Sequence, residues 1–242
     1  MKRLDDILNY NLKIYQDSDF FSFALDSIVL ANYSNIKKSD TKIIDLCTGN
    51  GIVPIILNKR FNKNIDCIDI QEKLVDLAKD SIKVNNMEDS INVFCGDINN
   101  YFDSKYNNYY DVVLCNPPYF NSVDIKNVQN LSYEKKIARH EILLNLNGLL
   151  GCVKKILKND GTFYLVHRPD RLEEILSSLK SNNLIPKRLF FIHENINKEA
   201  ILVFIESKLN GRDGLKVDKP LILYNLDGKE TLEYKRLNEE VL

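Results

Sequence analysis

No stretch of this chain is apolar for long enough to cross a membrane. Its longest uncharged apolar runs, such as residues 52–57, fall far short of the roughly 18–20 residues that a spanning helix needs. An apolar leader is missing too. The opening MKRLDDILNYNLKIYQ puts Asp5 and Asp6 where a signal peptide carries its hydrophobic stretch. Charge of one sign is lacking: 33 Lys and Arg stand against 34 Asp and Glu, for a formal net charge of -1. With 44% hydrophobic residues, so small a net charge excludes a disordered chain. A cysteine framework is lacking as well. Cys47, Cys67, Cys95, Cys115 and Cys152 are odd in number and form no CxxC pair, which argues against both disulfides and a metal site. Cys67, Cys95 and Cys115 sit in short apolar runs and are expected as buried thiols acting as small hydrophobes. These absences predict a cytoplasmic protein without a metal or a membrane partner.

What is present is alternation. Short apolar runs at residues 42–45, 64–69, 90–95, 111–115, 162–167, 189–193 and 200–206 read as strands. Between them, residues 52–60, 71–86, 133–157 and 171–181 read as helices. In the second of these, Leu74, Leu77, Ala78 and Ile82 recur at steps of three and four, as one face of a helix requires. Strands separated by helices predict an α/β fold: a mostly parallel sheet of seven strands with helices on both faces. Only the short polar segment 193–199 joins the last two strands, which suits an antiparallel hairpin, so the last strand is expected to run antiparallel. A chain of 242 residues buries roughly 70–75% of its unfolded surface and needs no staple. One domain over 1–242 is expected, with its core at 36–210. Residues 1–35 are expected to form an N-terminal hairpin and helix extension: apolar runs at 12–15 and 20–23 paired around a turn at 16–19, then a helix over 25–33. Residues 211–242 form a C-terminal extension, with a strand at 221–224, an Asp227-Gly228 turn and a charged helix.

The first predicted strand of the core ends in Asp45-Leu46-Cys47-Thr48-Gly49-Asn50-Gly51-Ile52. Ligands of α/β sheets bind at the carboxyl ends of strands, and glycine there lets backbone approach a ligand without a Cβ in the way. The GxGxxG phosphate pattern is not met, because Gly49-Asn50-Gly51 runs on into Ile52-Val53-Pro54. Asp45 would also repel a pyrophosphate, whereas it would welcome a cationic ligand. An NAD-dependent oxidoreductase is therefore disfavoured. Asp69 closes the second strand, 24 residues after Asp45, where an acid grips a ribose hydroxyl pair in nucleoside-binding sheets. Asp97 closes the third, placed to accept an adenine amine with Ile98 packing on the ring. The plain alternative is an ordinary tight turn with strand-end carboxylates.

The fourth strand ends in Asn116-Pro117-Pro118-Tyr119. Two prolines stop the ladder and fix the backbone. The Asn116 side-chain oxygen and the Pro117 carbonyl can then converge on one planar NH2 group, with Tyr119 offering a face for stacking.

This sheet pattern, with its DLCTGNG turn and NPPY, resembles the Rossmann-like class I methyltransferases that use S-adenosylmethionine to modify exocyclic or amide nitrogens. Further segments, namely FSFALDS at residues 21–27, Asp69-Ile70-Gln71, Gly96-Asp97, Ala138-Arg139-His140-Glu141 and KPLILY at 219–224, are similar to the bacterial family named for tRNA(Val) anticodon-loop adenine N(6)-methylation. The resemblance implies S-adenosylmethionine held by Asp26, Asp45, Cys47, Thr48, Gly49, Gly51, Asp69, Ile70, Asp97, Ile98 and Asn116. It implies transfer at Asn116, Pro117 and Tyr119, with adenine 37 of tRNA(Val) as substrate. NPPY alone is shared with glutamine N(5)- and guanine N(2)-methyltransferases, so those substrates stay open, as does a non-catalytic module that binds S-adenosylmethionine or RNA. One departure stands out: Cys47 replaces the usual first glycine of the cofactor turn. Asp26 reads equally as a helix cap and as a neighbour of the cofactor's amino-acid end.

An RNA partner needs local positive charge on so balanced a chain. Lys135, Lys136, Arg139, His140 and Arg168 are the expected RNA contacts. Arg171, Lys187-Arg188 and Lys208/Arg212/Lys216/Lys219 are weaker clusters that read as well as solvated faces. His167 and His193 read as structural. A monomer or weak homodimer is expected.

Overall fold

The computed structural model describes residues 2–7, 11–17, 25–118 and 146–239. β1 (Lys2–Ile7) and β2 (Leu12–Asp17) form an antiparallel hairpin, followed by α1 (Leu25–Tyr33). The alternating core then runs through β3 (Ile43–Leu46), α2 (Ile52–Phe61), β4 (Ile65–Asp69), α3 (Glu72–Val84), β5 (Ile91–Cys95), the short α4 (Ile98–Tyr101) and β6 (Tyr110–Cys115). It continues with α5 (Leu146–Ile156), β7 (Leu157–His167), α6 (Leu172–Ser181), β8 (Leu184–His193) and β9 (Ala200–Leu209). Two short strands, β10 (Lys216–Val217) and β11 (Leu221–Ile222), and α7 (Leu232–Glu239) complete it.

The main sheet has the order β10-β8-β9-β7-β6-β3-β4-β5, with β11 also paired to β8. Strands β5, β4, β3, β6 and β7 are parallel, and β9 runs antiparallel to both β7 and β8. The chain leaves β3 for β4 and β5, then returns to place β6 on the other side of β3. Strand order reverses there, so the carboxyl ends of β3 and β6 flank the topological switch point, the place where such sheets bind ligands.

Successive residues of the central strands serve opposite faces, as pleating requires. Ile43, Val112, Leu114, Tyr164 and Val166 join a core under α1 and α2. Ile44, Leu46, Val113, Cys115, Phe163 and Leu165 join a second core under α5 and α6. A strand covered on both faces reads as a continuous apolar run, which is why these strands were plain in the sequence. The hairpin residues Ile7, Leu12 and Ile14 and the C-terminal Leu221, Leu223 and Leu237 all pack into the first core.

Four expectations need correction. The sheet has nine strands among the described residues, not seven, because β10 and β11 cover the outer edge of β8. The antiparallel strand β9 is consequently not the last in the chain. The N-terminal hairpin joins residues 2–7 to 12–17 instead of turning at 16–19, and the expected run at 20–23 lies outside the described residues. Cys95 is exposed, since β5 is the edge strand of the sheet among the described residues. Cys67 and Cys115 are buried as expected, and Cys152 is buried too. Of the long helix predicted at 133–157, residues 146–156 are helical and 133–145 lie outside the described residues.

Candidate active site

The turn between β3 and α2 is held by its neighbours. Thr48 N–H donates to the Ile68 carbonyl of β4 at 3.0 Å, and Gly51 N–H to the Thr48 carbonyl at 3.1 Å. Gly49 lies at φ +59° and Gly51 at φ +86°, left-handed backbone in which glycine carries no penalty. At Gly51 a Cβ would press to 3.2 Å from Ala78 of α3, whereas at Gly49 it would meet nothing within 4 Å. The backbone of Gly49 therefore faces open space at the switch point. Cys47 is also left-handed, at φ +57°. Its thiol lies against that of Cys115, whose ionisation burial and this neighbour both push well up.

Asp45 is 1% exposed. Burial lifts its carboxyl to about 8, the Thr48 hydroxyl pulls it back, and the Asp69 charge lifts it again. The pull of the nearby Thr48 hydroxyl is not a formed hydrogen bond: Asp45 Oδ2 and Thr48 Oγ1 are both buried without a hydrogen-bond partner among the described residues. An unsatisfied buried acceptor is costly. A ligand bringing N–H donors and positive charge to the Gly49 backbone would relieve that cost, and S-adenosylmethionine brings both. The residues present fit that group.

Asp69 closes the far side of the turn. Its Oδ2 accepts from Gly49 N–H at 2.9 Å and its Oδ1 from Gln71 N–H at 2.9 Å. Burial raises this carboxyl, and the backbone N–H groups of Gln71, Gly49 and Ile70 draw it down. Each carboxylate oxygen has a second lone pair, so bracing the turn and accepting ribose hydroxyls are compatible. Next to it Ile70 is 40% exposed, an apolar face beside the carboxylate. Asp97 caps α4: its Oδ1 accepts from Asn99 N–H at 2.9 Å and its Oδ2 from Asn100 Nδ2 at 3.3 Å. Ile98 belongs to the second core, so the exposed apolar surface at this edge comes from Ile70.

Leu46 and Cys115 are partners across the β3–β6 pair. The residues just beyond them, the glycine turn and Asn116, therefore emerge side by side. Asn116 is half-buried and Pro117 buried. The Asn116 amide nitrogen donates to Ser27 Oγ at 3.0 Å. In the same first turn of α1, Asp26 Oδ1 accepts the Ser27 backbone N–H at 2.8 Å. Ser27 was not legible as a site residue, because 89 positions separate it from Asn116 and no spacing rule joins them. Asn50 was missed likewise: its Nδ2 donates to the Tyr15 carbonyl at 3.2 Å, tying the glycine turn to the hairpin.

Arg168 follows β7 at the same end of the sheet and pairs with Asp170 at 2.8 Å. His167, buried and neutral, accepts from Arg168 N–H at 2.8 Å; burial, then the Arg171 charge, lowers it to about 4. Arg171 is buried against Glu174, and Arg188 is engaged by Glu206, Asp218 and the Tyr33 carbonyl, so neither presents an open cation. His193 bonds the Lys198 carbonyl through Nδ1 at 2.8 Å. Tyr119, Lys135, Lys136, Arg139 and His140 lie outside the described residues. Among the described residues, no group of three or more His, Cys, Asp or Glu side chains is arranged to hold a metal, and no helix is long and apolar enough to cross a membrane.

Comparison with known proteins adds to this geometry. The family model described as "Methyltransferase small domain" matches residues 11–179. A tRNA1(Val) (adenine(37)-N6)-methyltransferase of Phocaeicola vulgatus is 25% identical over 197 residues, covering 81% of each chain. A protein of the same name from Pedobacter heparinus is 28% identical over 166 residues, 68% of each. Among solved structures, a predicted O-methyltransferase from Agrobacterium tumefaciens matches with a TM-score of 0.70 at 17% identity, over 88% of this chain and 95% of that one. A geranyl diphosphate C-methyltransferase from Streptomyces coelicolor, solved with S-adenosyl-L-homocysteine, gives 0.55 at 11% identity, over 76% of each. The structural likeness is one of fold.

Proposed function

The chain belongs to the methyltransferase small domain family, and from that premise we propose that it methylates the exocyclic N6 amine of an adenine in RNA, with S-adenosylmethionine as donor. The favoured substrate is the anticodon-loop adenine 37 of tRNA(Val), the base that the relatives are named for. The observation that carries this reading is the pairing of Leu46 with Cys115, which sets the acceptors of Asn116 and Pro117 beside the glycine turn.

The cofactor supplies a methyl group on a sulfonium, an electrophile with a good leaving group. The chain's task is then to hold an amine in line with it, and such positioning is worth up to roughly 7–11 kcal/mol in ideal cases. The Thr48–Gly51 turn, with Asp45 beneath and Asp69 alongside, would hold the donor. Asn116 Oδ1 and the Pro117 carbonyl would accept the two N–H groups of the adenine amine. That amine is a poor nucleophile because its lone pair is conjugated into the ring. Hydrogen bonds to its two hydrogens favour the pyramidal, nucleophilic form. They strengthen as positive charge builds on nitrogen, which is the kind of interaction that raises a rate. A strong general base is unnecessary, because the methylated ammonium-like product loses its proton readily. The target base must be unpaired or flipped out, and stacking on it is the role proposed for Tyr119.

The test is incubation with labelled S-adenosylmethionine and total bacterial RNA or protein, followed by nucleoside mass spectrometry. N6-methyladenosine in the tRNA fraction is expected. Label in N2-methylguanosine, or in protein glutamine, would overturn the adenine reading. Asn116→Ala is expected to lose most of the rate with little change in S-adenosylhomocysteine affinity, and transfer near the wild-type rate would count against the scheme.

A further inference from the structure

We propose that Cys47 and Cys115 form an oxidisable dithiol at the switch point, a modification site whose closure to a disulfide by a peroxide loosens the hold on S-adenosylmethionine. The pairing rests on the geometry of the two strands. Its effect on the cofactor rests on the role given above to the Thr48–Gly51 turn.

Cys47 is the outlier of the backbone. Eight non-glycine residues among those described have positive φ, and the other seven are Asn or Asp, the residue types that tolerate that region. A strained residue without a local reason points to a function. Leu46 is the strand partner of Cys115, and both side chains lie in the second core. One step further along a regular strand, Cys47 would face the opposite side. With its backbone left-handed, it packs instead against the second core, thiol to thiol with Cys115. Strands roughly 4.8 Å apart and a rise of roughly 3.3 Å per residue put the two Cα atoms roughly 6 Å apart. A disulfide spans Cα separations of roughly 4.4–6.8 Å. Cys152 belongs to the same core and lies near both thiols but bonds neither.

The two sulfurs have unequal roles. Cys47 is half-buried beside the open space at Gly49, so an oxidant reaches it first. Cys115 is fully buried, and burial keeps its proton in place. The Cys47 thiolate attacks a peroxide oxygen, the O–O bond breaks, and hydroxide leaves, giving a sulfenic acid. The Cys115 sulfur then attacks the Cys47 sulfur. The S–S bond forms, the S–O bond breaks, and the departing hydroxide takes the Cys115 proton as water. In sum, two thiols lose two electrons and two protons, and the peroxide is reduced to two waters. Closure brings the sulfurs from contact to roughly 2.0 Å, drawing Cys47 toward β6. The next residues are tied the other way: Thr48 N–H donates to Ile68 and Gly49 N–H to Asp69, both on β4. The link therefore pulls the turn between two strands and strains the bonds that shape it.

The test treats the reduced protein with hydrogen peroxide, blocks the remaining thiols under denaturing conditions and maps the peptides by mass spectrometry. Of the five free cysteines, Cys47 and Cys115 are expected to be lost together as one linked peptide. The Kd for S-adenosylhomocysteine is expected to rise about tenfold, the order of one lost hydrogen bond, and dithiothreitol should reverse both changes. Cys95→Ser should behave as wild type, which excludes a link between molecules through the exposed cysteine. In Cys115→Ala no link should form, and dimedone should trap Cys47 as its sulfenic acid. Cys115 left free beside an oxidised Cys47 in the wild type, or a link to Cys95 or Cys152, would overturn the pairing. A Cys47–Cys115 link with unchanged affinity would overturn its effect on the cofactor turn. No RNA enters these measurements, so a failure to methylate adenine would overturn that reading and leave the dithiol standing.

Discussion

Cys47 occupies a conformation made for glycine. At φ +57° a side chain costs about 1–2 kcal/mol, while glycine's greater freedom in the unfolded chain returns about 0.4–1 kcal/mol of that. Cys47→Gly is therefore expected to stabilise the protein by roughly 0.5–1 kcal/mol, read as a higher urea midpoint at unchanged m-value. It also clears space at the turn, so S-adenosylhomocysteine affinity should hold or rise; a fall would mean that the thiol contacts the ligand. Asp45 carries a pH signature. Its folded value of about 8 lies far above the roughly 3.9 of an unfolded aspartate. Between those values the folded chain keeps a proton that the unfolded chain has released. Its contribution to stability is thus complete below about pH 4 and is lost as pH rises through about 8. Ligand-free stability should decline across that window, and Asp45→Asn should flatten the decline. A cationic ligand prefers the ionised carboxylate, so S-adenosylmethionine should bind more tightly as pH rises toward 8 and lose that dependence in Asp45→Asn, as calorimetry at several pH values would show.

The helices and strands of the core were legible because each carries its own period. The largely apolar β3 and β6, each with a single aspartate, announced a doubly covered sheet, and the glycine and proline elbows announced where the backbone turns. The strands of the hairpin were not legible. The segment β1 is largely charged, KRLDDI, and earns its strand conformation from β2, not from its own pattern. β2 in turn is held by side chains: Tyr15 N–H donates to Ser81 Oγ and Lys13 N–H to Asn85 Oδ1, both at 2.9 Å. Helix α3 thus offers β2 the acceptors that a neighbouring strand would, an arrangement no local periodicity encodes. Asn50 adds the link from the same strand to the glycine turn. Ser81→Ala combined with Asn85→Ala should speed amide exchange at Lys13 and Tyr15 about tenfold, the order of one hydrogen bond, while the amides of β3 and β6 keep their protection. Equal loosening of the sheet would mean that hairpin and core open as one unit.

At the scale of the whole molecule, charge is the limiting resource. A net charge of -1 gives no general attraction to RNA, so the proposed binding would rest on a few cations at the carboxyl end of the sheet. Two of the basic residues singled out in the sequence are committed elsewhere, Arg171 to Glu174 and Arg188 to Glu206 and Asp218, and Lys158 pairs with Asp111 at 2.6 Å on the opposite end. Only the fold reveals that commitment, because it depends on which strands lie side by side. Arg168 differs, since it stands at the active end and its partner Asp170 is as exposed as itself. Exposed pairs are worth little, so a phosphate can compete for the guanidinium. Single-stranded RNA gives a salt slope of about 0.7 per neutralised phosphate. Two or three such contacts would weaken binding about seven- to eighteenfold between 50 and 200 mM salt. Arg168→Ala should lower that slope by close to one contact and leave S-adenosylhomocysteine binding unchanged. A slope unmoved by Arg168→Ala would place the phosphate path elsewhere on the molecule and leave the guanidinium to its surface pair.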